Sequence, residues 1–233
     1  MNLTRRSFVG SMGAGVAALG ATLAECTPVA EAQLLYMPKD WHAAEFDKLV
    51  KSTARVKQLF DCEALKGGEI LGPIKNSING LHFGFGIAAD QIKMVGAFRG
   101  QANMLNFDDS MWEKYKLGES AKIDDPKTSK PTIRNLSYPK KEGGSPDPQD
   151  RESIFQDASL EALMGRGLTL LSCHNATESL ARGIVKRLAL TVGVEEVVKD
   201  LQAHMLPGVI SVPAMVAAIA ILQVDGHYAY TVG

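Results

Sequence analysis

The stretch Leu168-Thr169-Leu170-Leu171-Ser172-Cys173-His174-Asn175-Ala176-Thr177-Glu178-Ser179-Leu180-Ala181-Arg182-Gly183-Ile184-Val185-Lys186-Arg187-Leu188-Ala189-Leu190 decides the fold. It opens on an apolar run, Leu168 to Leu171, of the length and composition of a strand buried on both faces. A helix follows. Asn175 reads as its N-cap with Glu178 three residues on, and Leu180, Ile184, Val185 and Leu188 recur on one face opposite Glu178, Arg182, Lys186 and Arg187. Cys173 falls in the turn between strand and helix. Ligands in open α/β sheets collect where strands end and helices begin, and the positive end of a helix stabilises a nearby thiolate. Cys173 is therefore the first candidate for chemistry.

The same alternation extends outward. Arg55 to Phe60 alternates polar and apolar residues as a strand does, ending at Asp61-Cys62, and Ile92 to Phe98 is a second core strand. Between them, Ile70, Leu71, Ile74, Ile78 and Leu81 have helical spacing, with Pro73 near the start. Asp108 or Asp109 can cap a short helix whose Trp112 and Tyr115 make a packing face, and Ser159 to Met164 is another. Downstream come a helix over Val194 to Met205, a short strand at Val209 to Val212, a helix over Ala214 to Val224 after Pro213, and a last strand in His227 to Val232. Five strands alternating with helices predict an α/β fold, a three-layer α/β/α domain with a mostly parallel five-stranded sheet. The helix Ala214 to Val224 is apolar almost all round, so it is expected in the core or against another subunit.

The amino terminus reads as an address. Thr4-Arg5-Arg6-Ser7-Phe8-Val9 matches a twin-arginine export signal, an apolar Gly/Ala-rich stretch runs from Val9 to Ala24, and Ala30-Glu31-Ala32 is an A-x-A cleavage site. Residues 1–32 are the expected signal, 33–54 a linker or peripheral segment, and 55–233 the domain. Export to the periplasm, with no membrane association after cleavage, is the expected localisation. From Glu119 to Asp150 the composition turns to Lys, Asp, Pro, Gly and Ser, which reads as a polar insertion, either a lid or a tolerated flexible loop. Asn135-Leu136-Ser137 is a chance sequon.

Charge excludes some classes. Lys+Arg 25 against Asp+Glu 26 leaves a formal charge of -1, so no basic excess suggests nucleic acid. Cys26, Cys62 and Cys173 form no CxxC, which argues against a zinc ribbon, a thioredoxin-type motif and haem attachment. The histidines make no metal-ligand spacing, and neither a metal nor a cofactor is expected. Gly84-Phe85-Gly86-Ile87-Ala88-Ala89 satisfies G-x-G-x-x-A, but it follows a helical stretch rather than a strand and reads as a glycine-rich helix exit. His174 adjoins Cys173, and a protonated imidazole there would favour the thiolate; the competing reading is a solvated turn histidine. Cys173 itself has a bland alternative as a small buried apolar residue. A Cys62 to Cys173 pairing requires their strands to be neighbours.

The run Leu170-Leu171-Ser172-Cys173-His174-Asn175-Ala176-Thr177-Glu178-Ser179-Leu180-Ala181-Arg182-Gly183-Ile184 resembles the cysteine region of DsrE/DsrF-like sulfur-relay proteins, where a strand ends in Cys and leads into a helix with an Arg-Gly pair. Leu206-Pro207-Gly208-Val209, Val212-Pro213, Gly226-His227-Tyr228-Ala229-Tyr230 and Asp109-Ser110-Met111-Trp112-Glu113-Lys114-Tyr115 resemble exported members of that superfamily. The resemblance implies a homo-oligomer and a persulfide carried on Cys173, exchanged with a sulfur donor or acceptor protein; His174 and Asn175 are candidates only as the neighbours of Cys173 in sequence. Relay members are shorter and cytoplasmic, and this chain departs from them in its export signal and its insertion. A binding or assembly module, using the Ala214 to Val224 helix and the Trp112 face, is the alternative.

Overall fold

The computed structural model describes residues 35–65 and 69–233; the stretch expected to be an export signal, residues 1–32, lies outside the described residues. Strand β5 (Leu168–Cys173) shows how the sheet is built. Leu168 and Leu170 point to one face and Leu171 and Cys173 to the other, the two-residue period of a strand covered on both sides. Strand β2 (Ile92–Phe98) does the same with Ile92, Met94 and Phe98 against Val95 and Ala97. Strands β1 (Val56–Cys62), β6 (Ile210–Val212) and β7 (Ala229–Val232) complete a five-stranded sheet in the order β6-β5-β2-β1-β7, every pairing parallel. A second, two-residue pairing joins β3 (Asp124–Asp125) and β4 (Lys130–Pro131) in the polar stretch.

The strand order dictates which face each helix takes. From β1 to β2 to β5 to β6 the chain steps in one direction, and right-handed crossovers then place every intervening helix on one face. There lie α2 (Leu71–Asn79), α3 (Asp109–Lys114), α4 (Leu117–Ala121), α5 (Leu160–Gly165), α6 (His174–Leu188) and α7 (Val194–Ala203), packed around Phe60, Met94, Phe98 and Leu170. The step from β6 back to β7 runs the opposite way. Helix α8 (Met215–Val224) accordingly crosses the other face, where it meets α1 (Ala43–Val50). Sheet and helices form the three-layer α/β/α fold that the pattern of the sequence predicts.

Three expectations change. The 33–54 segment contains α1, whose Phe46 and Leu49 are buried against Leu59, Leu171 and Leu222 and close the second face of the sheet. Its short amphipathic run is hidden by the polar residues around it. The 119–150 stretch is docked on the domain. Asn135 is buried, its amide donating to the carbonyls of Leu105 at 2.9 Å and Phe107 at 3.0 Å, and a Cβ at Gly118 would run into the backbone of Thr132. Polar contacts, including Arg134 to Asp125 at 2.7 Å, hold it where no hydrophobic period exists to be read. The burial also takes the Asn135 sequon out of reach of a modifying enzyme. Finally, Trp112 is buried in the core beside Met111 and Leu117, so it presents no face to a partner.

Candidate functional site at the end of strand β5

Adjacent strands whose outgoing connections leave on opposite faces open a crevice at their carboxyl ends. Here those strands are β5, which feeds α6 on one face, and β6, which feeds α8 on the other. Cys173 is the last residue of β5, paired with Val212, and stands at that point.

Cys173 is also the N-cap of α6, in extended backbone (φ -82, ψ 117), so no turn residue separates strand from helix. Asn175 therefore sits in the first turn and is not the cap. The reason lies outside the local sequence. Asn103, from the 3-10 turn Gly100–Asn106 that follows β2, accepts the Cys173 N–H on its Oδ1 at 2.9 Å, and Thr177 Oγ1 donates to the Cys173 carbonyl at 3.1 Å. Asn103 Oδ1 also accepts from Ser172 Oγ (3.1 Å) and Asn106 Nδ2 (3.2 Å), while its own amide donates to Thr177 Oγ1 (2.9 Å). Asn106 reaches on to the Leu171 carbonyl at 3.3 Å. All four polar residues, Asn103, Asn106, Ser172 and Thr177, are buried, and together they clamp the strand end and the first helical turn. Gly100 opens the turn with φ +53, and a Cβ there would lie 2.9 Å from the Glu63 carbonyl oxygen.

The thiol itself faces the α1/α8 side, 6% exposed, packed with Leu171, Val212 and Met215. It makes no side-chain capping bond, so the first-turn N–H groups of α6 have no acceptor from their own N-cap residue. Cys62 ends β1 on the opposite face, in the α2 side of the core. Strand β2 lies between the two cysteines, which puts their strands about 9.6 Å apart, beyond the roughly 7 Å that a disulfide spans between Cα atoms. The pairing is excluded.

His174 is neither a solvated turn histidine nor an imidazolium. It is 3% exposed, its ring stacked on Tyr36 with centroids 3.5 Å apart, and burial pushes its pKa below the ordinary histidine value. Gln202 bridges the stack: its Oε1 accepts from the Tyr36 hydroxyl at 3.1 Å and its Nε2 approaches His174 Nδ1 at 3.5 Å. With Nδ1 as acceptor, the single ring proton sits on Nε2, facing Glu178 Oε2 across 4.0 Å, too long for a hydrogen bond. Neither atom has another partner among the described residues. Glu178, expected on a solvated face, is buried and held by Arg182. A neutral imidazole at neutral pH cannot serve as the cation beside the thiol, which leaves the helix terminus as the source of positive potential.

The first turn of α6 also borders an open groove of about 660 Å3 whose walls include Gln101, Asn175, Ser179, Gly183 and Arg187. Asn175 faces this groove on the α6 side, whereas the Cys173 side chain points to the α1/α8 side, so the structure does not gather the three candidates into one constellation. Asn103 and Asn106, three apart just after a strand, were a readable signal for a polar clamp; Tyr36 and Gln202 carried none. Among the described residues, no group of three His, Cys, Asp or Glu is placed to hold a metal ion, and no helix is long and apolar enough to cross a membrane. Comparison of the chain with family models, with curated proteins and with solved structures finds no match.

Proposed function

We propose that this is an exported, DsrE-like thiol protein in which Cys173 accepts sulfane sulfur from one partner and delivers it to another. The observation that carries the reading is the position of Cys173 as N-cap of α6 at the crevice between β5 and β6. In the transfer, the Cys173 thiolate attacks the outer sulfur of a donor persulfide R–S–SH. The donor S–S bond breaks, a new S–S bond forms on Cys173, and RS⁻ leaves with the electron pair of the broken bond. No external oxidant or reductant is consumed. The α6 N-terminus stabilises the anion before and after transfer.

The test is the intact mass and peptide map of mature protein recovered from the periplasm with thiols trapped at lysis. One added sulfur on the Cys173 peptide, absent from Cys173→Ser with its fold intact, is the expected result. A bare Cys173 thiol that alkylates only after unfolding overturns it.

A second reading, an assembly module with Cys173 merely packed, is favoured by α8. Its Met215, Ala218, Ile219 and Leu222 fill the core, while Val216 and Val224 stand 68% and 70% exposed with Ile221 between them, an outward apolar strip suited to a second copy of the chain.

A further inference from the structure

The opposite end of the sheet holds a guanidinium that makes no ion pair among the described residues. Arg166 follows α5 and precedes the start of β5. One terminal nitrogen donates to Asn79 Oδ1 at 2.6 Å and the other to the Phe155 carbonyl at 3.4 Å, and the group lies 5.2 Å from the centre of the Phe155 ring. Both hydrogen-bond acceptors are neutral. Among the described residues no carboxylate pairs with Arg166, and three of its five N–H donors remain uncommitted. Partial burial lowers its pKa, the mark of a cation that has lost water without gaining an anion.

Two hollows, of about 440 and 200 Å3, share Phe155, Gly165 and Arg166 as a common wall. The smaller is closed by Ile78, Ile92, Ala89 and His82 and has no acidic residue on its wall. The larger adds Lys140 and one acid, Glu161, which accepts the Lys140 backbone N–H at 2.9 Å. An apolar cavity of roughly 150 Å3 accommodates a benzene ring, so the smaller hollow has the volume for one. A guanidinium fork matches a carboxylate with two parallel hydrogen bonds.

We propose that this is a binding site for a small aromatic carboxylate, its carboxylate on Arg166 and its ring against Phe155 in the smaller hollow. The ligand supplies the missing counter-charge and fills apolar space in one step. The site is remote from Cys173 and independent of the sulfur chemistry proposed for it.

The test titrates the whole chain with benzoate, followed by calorimetry and amide NMR, with benzamide as the neutral isostere. Expected are saturable benzoate binding, shifts centred on Gly165, Arg166 and His82, and benzamide binding weaker by about tenfold or more, as the loss of a charge-assisted pair requires. Arg166→Met should lose benzoate binding. Gly165→Leu should lose it as well while keeping Arg166, because a Cβ at Gly165 meets nothing within 4 Å and the added side chain has open space to occupy. Absence of saturable binding, equal affinity for benzamide, or shifts centred elsewhere each overturns the proposal, and these comparisons need only the unmutated chain.

Discussion

Asn103 Oδ1 accepts the backbone N–H of Cys173 at 2.9 Å, tying the turn after one parallel strand to the last residue of its neighbour. The bond fixes where β5 stops and α6 starts, and therefore where the thiol stands. Asn103→Ala would strand the Cys173 N–H and the Ser172 hydroxyl in the interior and leave the Asn106 amide with the Leu171 carbonyl alone. A buried polar group left unpaired costs about 1–3 kcal/mol, and partial relaxation here should leave a total of about 2–4 kcal/mol. Thr177→Val removes both the donor to the Cys173 carbonyl and the acceptor for Asn103, for about 1–2 kcal/mol. Because the two act in one network, the double variant should lose less than the sum, measured by urea unfolding. Strict additivity would show that the clamp is not a unit.

His174 sets a pH dependence of stability. Its pKa in the folded chain lies below the ordinary 6.5, so on acidification the unfolded chain takes up the proton first. The stabilisation is complete above pH 6.5 and drains away as pH falls through the folded-state value. Glu178, itself paired with Arg182, faces the Nε2 edge of the ring, so His174→Asn, which cannot titrate, isolates the effect. The urea midpoint of the parent chain should fall more steeply than that of His174→Asn between pH 7.5 and the onset of carboxylate titration near pH 5. Parallel curves, or a parent chain that gains stability on acidification, would refute the assignment.

The middle of the sheet was legible because β2 and β5 are almost fully buried and their apolar runs survive any local reading. Ile92 to Phe98 is apolar at nearly every position, and the structure places β2 on those same seven residues. The helix start at Cys173 was not legible, because it depends on Asn103, seventy residues away in sequence. Glu178 and His174 misled for a related reason: a carboxylate and an imidazole at the start of an amphipathic helix ordinarily face water, and it is Tyr36 and Gln202, brought in from elsewhere, that cover His174, while Arg182 pairs with Glu178 from one turn along the same helix. Composition also misreads the 119–150 stretch, where side-chain and backbone hydrogen bonds join the scattered apolar contacts of Ile123 and Tyr138. Cysteine position was legible; its surroundings were not.

Asp61 and Arg99 make the strongest ion pair near the carboxyl ends of β1 and β2. Arg99 is bidentate, with Nε to Oδ1 at 2.8 Å and a terminal nitrogen to Oδ2 at 3.2 Å, and the Tyr230 hydroxyl donates to the same carboxylate at 2.8 Å. Asp61 is buried and Arg99 only partly so. Arg99→Met therefore leaves a nearly buried carboxylate with Tyr230 alone. Breaking a fully buried pair costs about 3–5 kcal/mol, and the exposure of Arg99 brings the expected loss down to about 2 kcal/mol. Asp61→Asn with Arg99→Met should recover part of it, since the uncompensated charge is gone. No recovery in that double variant would mean that packing, not charge, holds the strand ends.

Helix α8 separates the two readings of the molecule, because its inner and outer faces answer to different equilibria. Leu222 is fully buried between Leu59, Met215 and Tyr228, so Leu222→Ala should cost about 2–4 kcal/mol of unfolding free energy in whatever state of association the chain occupies. Val216 stands clear of that core, and Val216→Glu should change the stability of an isolated chain by no more than about 0.5 kcal/mol. If a second copy covers the strip formed by Val216, Ile221 and Val224, the same change buries a carboxylate at an apolar contact and splits the assembly. Sedimentation velocity on the parent chain and Val216→Glu distinguishes the cases. A parent of multiple mass that falls to the single-chain mass in Val216→Glu, at an unchanged unfolding midpoint for the dissociated chain, places the interface on α8. A parent that sediments as a single chain leaves the strip facing water and removes the observation on which the assembly reading rests.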